Sequence, residues 1–535
     1  MPDGAAHCKP RGRLLRPGVE QQVVRALGSI GSATLLSRLL GYVRDMVVAL
    51  AFGAGPVTDA FFVAFRIPNI LRRLLGEGAL ATAVIPVFSD YTVNRTRQEL
   101  TRMVAVVLAA ALTVLTAVSL LGIVTAPWIV RLIAPGFAAD AGQWQLATLL
   151  TRVMFPYLLL VGLSALAMAG LQAHGRFFAA ALGPAVLNVG MIAGVLLLHT
   201  RMDPPIVSLA IGVLGGGLGQ LAVQLPGLGR EGLLVAPALD LRHPALRRIV
   251  RLLLPSVFGL AAVQVSVFVN TLLASLLPSG SISYLYYADR VMEFPLGVFG
   301  IALASAALPA MARLGAAGDT RGVAQTLNFA LRVSFYIAAP ATVGLVMLRT
   351  PITRVLFERG HFGPAETAAT ASALAWYAAG LVGFSAARIA AQAFYAFGEP
   401  GTAVRCGIIS VAAGIVAAIV LMAPLGHAGL AAASSVAAYV NVLALVVAAR
   451  RRLGLLGGRV MLASAVRTTV ACVPVAAWCA LLLLLWPRTG AARADLGILT
   501  LAVVGGAAVF WLASALLRAP ERVTLAAILP RRRRG

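Results

Sequence analysis

The strongest constraint on this chain is a series of apolar stretches, each about 20 residues or longer, that recurs along its whole length. Inside a bilayer every backbone N–H and C=O must be satisfied by the protein, so such stretches can be only helices or the strands of a closed barrel. Barrel strands would read as short segments of alternating polarity, and none is visible. The sequence therefore predicts an all-α membrane protein of about fourteen transmembrane helices, at roughly 24–52, 59–92, 103–135, 145–173, 178–199, 205–226, 247–278, 283–314, 325–348, 365–396, 402–424, 428–449, 464–486 and 495–517. Composition agrees: of 535 residues 60% are hydrophobic and 12% charged, whereas a soluble domain carries about 25% charged residues.

The first two stretches are unusual because they carry charge in their interiors. Arg38, Arg44 and Asp45 lie in the first, Arg66, Arg72, Arg73 and Glu77 in the second, and Asp59 sits between them. An arginine or aspartate at bilayer depth costs about 2.5–3.5 kcal/mol on the insertion scale. Several such residues facing lipid would block insertion, so they are expected to line a water-filled, protein-walled cavity. If the second helix enters the membrane near Asp59, Arg72 lies about 20 Å along it, deep in the hydrocarbon layer. Pro68, Pro86, Pro127, Pro156, Pro255 and Pro295 fall inside stretches, where neighbours or water must satisfy the freed backbone.

The net charge of +25 comes almost wholly from arginine, Lys9 being the only lysine. In a soluble protein this would suggest nucleic acid; here the arginines sit mostly in short loops and orient the bundle. Arg95, Arg97, Arg102, Arg176, Arg230, Arg242, Arg247, Arg248, Arg251, Arg313, Arg321, Arg405, Arg450–Arg452, Arg459 and Arg531–Arg534 fall on one side, while loops 53–58, 136–144, 279–282 and 425–427 have no arginine. Both termini and the basic loops are therefore expected in the cytoplasm. Two outer loops break the pattern, one with Arg349, Arg354 and Arg359 and the other with Arg488 and Arg493, and 350–363 is read as an interfacial segment. The tail before about residue 22 reads as uncleaved.

The chain also repeats. ALATAVIPVF at Ala79–Phe88 matches ALASAALPAM at Ala302–Met311, and VGLSA from Val161 matches VGFSA from Val382. The offset spans six stretches, which makes the halves parallel repeats. The expected organisation is a basic tail (1–23), a lobe of six helices (24–226), an Arg-rich linker (227–246), a second six-helix lobe (247–450), two further helices (464–517) and a second basic tail (518–535). A cavity between two such lobes suits alternating access.

The second lobe adds Tyr286-Tyr287-Ala288-Asp289-Arg290-Val291-Met292-Glu293-Phe294-Pro295, with Arg290 and Glu293 at i, i+3, and Arg388 in an apolar setting. Arg73 and Glu77 are i, i+4 neighbours able to neutralise each other. A guanidinium donates paired hydrogen bonds to phosphate oxygens and keeps its charge when partly desolvated. Arg38, Arg44, Arg72 and Arg290 are accordingly candidate substrate-binding residues for an anionic or phosphate-bearing cargo. Asp45, Asp59, Arg73, Glu77, Asp289 and Glu293 are candidate gating groups or charge partners. Salt bridges that only hold a closed state are the structural alternative, strongest for Arg73, Glu77 and Glu293. Asp59 could also cap the second helix, and Gly53-Ala54-Gly55 reads as a turn. No GxxxxGK[ST] loop, nucleophile–base pair or metal-ligand cluster occurs; Cys8, Cys406, Cys472 and Cys479 form no CxxC pair. The reading is a transporter rather than an enzyme, with no cofactor, no metal and no nucleic-acid partner.

SRLLGYVRDMVVALAFGAGPVTDAFFVAFRIPNILRRLLGEG from Ser37, YYADRVMEFPLGVFG from Tyr286 and APGF at 134–137 resemble the bacterial MurJ (MviN) lipid II flippases of the MOP transporter superfamily. The resemblance implies fourteen helices in two lobes around a cationic cavity, in the bacterial inner membrane. It implies a function in peptidoglycan biosynthesis: translocation of lipid II, the undecaprenyl-pyrophosphate-linked disaccharide-pentapeptide, from the cytoplasmic to the periplasmic leaflet. Arg38, Arg44, Arg72 and Arg290 would engage the pyrophosphate and head group, and Asp59 would act on the periplasmic side or in gating. The last two helices would bound a groove for the polyprenyl tail, and membrane lipids and other cell-wall synthesis proteins would be partners. Some relatives are similar to sodium-coupled transporters with acids on the seventh and eleventh helices; here Asn270 lies on the seventh, and 402–424 has no acid. The alternatives are a flippase for another polyprenyl-linked glycan and a MATE-like cation-coupled exporter.

Overall fold

The computed structural model describes residues 17–74, 80–176, 178, 182–486 and 492–523. The described residues form helices and no strands. Each of the fourteen predicted stretches overlaps one helix or two among the described residues. Among the described residues ten helices are long and apolar enough to cross a membrane, or eleven if the bent pair that begins at Ser281 is one span. The chain is thus a multi-pass membrane protein.

The breaks fall where the chemistry demands them. Pro156, which cannot donate a backbone hydrogen bond, separates Ala141–Met154 from Tyr157–Ala173. Pro295 ends Ser281–Pro295 and leads into a wider turn, Leu296–Gly300, before Ile301–Ala316. The repeat seen in sequence has a local counterpart. Both VGLSA and VGFSA open the second half of a broken pair, in Tyr157–Ala173 and Leu381–Ala396.

The helices cluster into two compact units, one of Met1–Arg44, Leu71–Leu120 and Met154–Val257, the other of Asp45–Ile70, Leu121–Val153 and Phe258–Gly535. The core of the first unit is built by Val84, Val87, Phe88, Leu100, Met103 and Leu166, with Leu233 and Ile249 completing it. Within a bilayer such side chains contribute close packing rather than removal from water, because lipid tails are as apolar as they are.

In the second unit one core gathers Met311, Leu327, Ile389, Phe394 and Leu445. Another joins Tyr336 and Leu348 to Cys472, Cys479 and Phe510 of the last two helices. The end of that pair is fixed by Glu521, 1% exposed, which pairs with Arg332 at 3.1 Å and accepts from the Ser464 hydroxyl at 2.9 Å. By contrast, Pro400–Leu425 buries few side chains, and Val404, Ile408, Ile409, Val416, Ile419 and Val420 are exposed, as on a helix that faces lipid.

At one end of the second unit several connections interlock. The Gly53–Gly55 turn forms as read from the sequence: Gly53 adopts φ 67°, and Thr58 Oγ1 accepts the Gly55 N–H at 3.0 Å. A Cβ on Gly53 would collide with the His361 carbonyl, while the His361 N–H donates to the Leu50 carbonyl at 3.1 Å. A Cβ on Gly136, in the APGF segment, would overlap the Ser275 carbonyl. The 350–363 segment differs from the interfacial expectation. Arg349–Phe357 is a helix that buries Pro351, Thr353, Val355 and Phe357, and Phe357 and Phe362 close on Tyr287 with centroids 4.8 and 5.5 Å away. Its apolar face is satisfied by protein.

Candidate functional site

Asp59 lies in the first turn of Pro56–Leu74 and is 2% exposed. Its carboxylate does not cap its own helix, which is the sequence expectation the structure corrects. Oδ2 accepts the Gly280 N–H at 2.6 Å, and Oδ1 accepts the Ser283 N–H at 2.8 Å and the Ser283 hydroxyl at 2.6 Å. Gly280 is the N-cap of Ser281–Pro295, in a left-handed conformation with φ 94°. The positive end of that helix, with its unpaired N–H groups, is what makes a buried carboxylate tenable here. The cap is long-range because the turn at 53–58 leaves Thr58 to satisfy the local backbone, freeing Asp59 to reach another element.

Two turns further along Ser281–Pro295 stands the second cluster. Arg290 Nη1 donates to Glu293 Oε2 at 2.8 Å, and Nε lies 3.5 Å from Oδ2 of Asp45, itself 2% exposed. The Tyr286 hydroxyl donates to the other Asp45 oxygen at 3.1 Å. Arg290 also lies over the Tyr286 ring, 5.2 Å from its centroid, and Phe62 stacks on that ring at 3.9 Å. Asp45, Arg290 and Glu293 are therefore brought together, and acids serve Arg290 more fully than its own helix suggested. Tyr286 was missed as an organiser. The available signal was its i, i+4 spacing to Arg290.

Asp289 and Glu293 also line a cavity of about 770 Å³ within the second unit. Around them stand Arg66 and Arg388 with Asn270, Tyr286, Tyr377, Gln392, Ser434 and Asn441. A cavity with guanidinium, carboxylate, amide and hydroxyl groups on one apolar frame can hold a polar, anionic head with many hydrogen-bonding groups. Sequence reasoning noted Arg66 and Arg388 as charges in apolar settings but did not single them out as site residues. Only the fold brings positions so distant in the chain to one wall.

In the first unit, Arg44 is 8% exposed and donates to Asn188 Oδ1 at 3.0 Å. The Asn188 amide in turn donates to the Ser37 carbonyl at 3.1 Å. Arg38 is exposed and Arg72 half-buried. The Arg73–Glu77 pair lies outside the described residues: Glu77 falls at 75–79, and the Arg73 side chain is likewise not described. No group of three or more His, Cys, Asp or Glu side chains able to hold a metal occurs among the described residues.

The sequence profile of the family described as lipid II flippase MurJ matches residues 48–496. The chain belongs to the lipid II flippase MurJ family. A probable lipid II flippase MurJ of Vibrio cholerae is 38% identical over 441 residues, covering 80% of this chain and 81% of its own. The lipid II flippase MurJ of Burkholderia cenocepacia is 37% identical over 436 residues, covering 80% and 84%. Among solved structures, a lipid II flippase MurJ in an inward closed conformation superposes with TM-score 0.77 at 24% identity, covering 91% of this chain and 98% of that one. An inward-facing multidrug-resistance MATE transporter of the MOP superfamily superposes with TM-score 0.65 at 15% identity, covering 79% and 96%. These likenesses show the fold of this chain. The MurJ profile spans Asp59, Tyr286, Arg290, Glu293 and the cavity residues, while Asp45 lies just before it.

Proposed function

We propose that this chain is a lipid II flippase, which carries the lipid-linked peptidoglycan precursor from the cytoplasmic to the periplasmic leaflet by opening to one side of the membrane at a time. The observation that carries this reading is the match to the lipid II flippase MurJ family across residues 48–496. The residues present suit the cargo. Lipid II presents a pyrophosphate, a disaccharide and a peptide, and guanidinium groups bind phosphate oxygens through paired, charge-assisted hydrogen bonds. In the proposed roles Arg38, Arg44, Arg72 and Arg290 bind the anionic head, and Arg66 and Arg388, which line the cavity of the second unit, are proposed as further head-group ligands. Asp45 and Glu293 hold Arg290 in place when substrate is absent, and Asp59 gates through the helix it caps.

The proposed setting is the bacterial inner membrane, with both termini and the arginine-rich loops cytoplasmic. The proposed organisation is a pair of six-helix lobes at 24–226 and 247–450, linked by 227–246. The helices at 464–517 would bound the polyprenyl groove, and other cell-wall synthesis proteins are proposed partners. A cation-coupled exporter is less well supported, because the MurJ profile matches residues 48–496 whereas the likeness to the MATE transporter is one of fold at 15% identity. The test is accessibility of labelled lipid II at the outer leaflet after depletion of the chain and rescue by variants. Arg72→Ala and Arg290→Ala are expected to abolish rescue at unchanged membrane levels; full rescue by either counts against a cavity role for that arginine.

A further inference from the structure

In the first unit, residues 231–243 run without helix between Val207–Arg230 and Pro244–Ser275, yet they are firmly held. Arg97 donates to the Glu231 carbonyl, Arg176 pairs with the Glu231 carboxylate at 3.0 Å, and Leu233 is buried beside Phe88, Leu100 and Met103. The Ala238 N–H donates to the Ala105 carbonyl at 3.1 Å, and Asp240 pairs with Arg102 at 3.4 Å. The segment is a strap laid along the start of Arg97–Ile133, a helix long and apolar enough to cross a membrane. Ala105 lies about 12 Å along that helix from Arg97. If the hydrocarbon layer begins where that helix turns apolar, near Met103, the strap lies level with the zone where headgroups give way to hydrocarbon.

Its outward face has a definite chemistry. Leu239 and Leu241 are 73% and 77% exposed although they flank the pinned Asp240. Arg242, Arg247 and Arg251 stand exposed just beyond them. The strap's own acids, Glu231 and Asp240, are engaged by Arg176 and Arg102. Large apolar side chains beside a cluster of cations, at interfacial depth, match a bilayer of anionic phospholipid: leucines enter the headgroup boundary while guanidinium groups hold phosphates.

We propose that this strap is a membrane-surface anchor that docks on anionic phospholipid headgroups through Leu239, Leu241 and the arginines at 242, 247 and 251. The proposal needs neither the flippase reading nor a choice of leaflet. Each arginine is expected to strengthen attachment about fivefold on an anionic surface.

The test uses the full chain with Cys8→Ser and Leu241→Cys, labelled with an environment-sensitive fluorophore; Cys406, Cys472 and Cys479 are buried and escape labelling. The protein is placed in nanodiscs of phosphatidylcholine alone or mixed with phosphatidylglycerol. The expected result is a blue shift and protection from aqueous iodide that are larger with phosphatidylglycerol. The difference should vanish in the Arg242→Gln/Arg247→Gln/Arg251→Gln variant and return in the matching triple lysine variant. A label equally open to iodide in both discs would overturn the proposal and point to an acidic protein partner instead. Equal protection in both discs, or an undiminished phosphatidylglycerol effect in the glutamine variant, would also overturn it.

Discussion

Replacing Asp59 by asparagine isolates the long-range cap. The carboxylate accepts three hydrogen bonds, from the Gly280 N–H, the Ser283 N–H and the Ser283 hydroxyl. Asparagine keeps one acceptor oxygen, which can stay with Ser283. Its amide nitrogen then faces the Gly280 N–H, donor against donor. A hydrogen bond to a charged group contributes about 1.5–3 kcal/mol, and losing the negative charge at a helix N-terminus costs a further 0.3–1 kcal/mol or so. The expected cost is therefore about 2–4 kcal/mol for local opening of the first turn of Ser281–Pro295. Hydrogen exchange on the purified protein reads this directly: about 2 kcal/mol corresponds to roughly 30-fold faster exchange at amides 280–284. Ser283→Ala, which removes only the hydroxyl bond, should accelerate exchange by about fivefold, since it forfeits about 1 kcal/mol. Unchanged exchange in Asp59→Asn would refute the argument that this carboxylate secures the helix end, whatever the variant does to growth.

Further expectations follow from the same contacts. Arg290→Lys cannot reproduce both the Asp45 contact and the bond to Glu293, so it should lower flipping while leaving expression intact; wild-type rescue would argue that charge alone suffices. Glu521→Gln leaves the Arg332 charge without its carboxylate. Loss of a buried ion partner costs about 3–5 kcal/mol, which should appear as earlier thermal aggregation in detergent; an unshifted melting curve would contradict it. Gly136→Val drives a side chain into the Ser275 carbonyl and is expected to lower the folded yield, whereas Gly55→Ala, with open space around it, should be silent.

Much of the architecture was legible from periodicity alone. The predicted stretches overlap helices among the described residues, ten or eleven of them long and apolar enough to span, because a bilayer leaves a long apolar segment almost no other backbone solution. The turn at Gly53–Gly55 was equally readable, since glycine tolerates positive φ; proline alone did not mark the breaks, because Pro156 and Pro295 sit at breaks while Pro68, Pro86, Pro127 and Pro255 lie inside continuous helices. The site was legible in kind but not in pairing. Intrahelical spacing suggested Arg290 with Glu293 and found it. It could not suggest that Asp45 would meet Arg290, or that Asp59 would serve a helix beginning at Ser281.

What the sequence by itself determined is the class of the molecule, a helical bundle that must hide charges within a membrane, because local apolarity and the cost of burying ions are properties of segments. What only the tertiary structure decided is which distant groups the charged side chains meet. Asp59 at a foreign helix end, Arg44 on Asn188, and Arg66 with Arg388 on one cavity wall all depend on three-dimensional approach. Electrostatic partnership falls off with distance through space, and distance along the chain does not encode it.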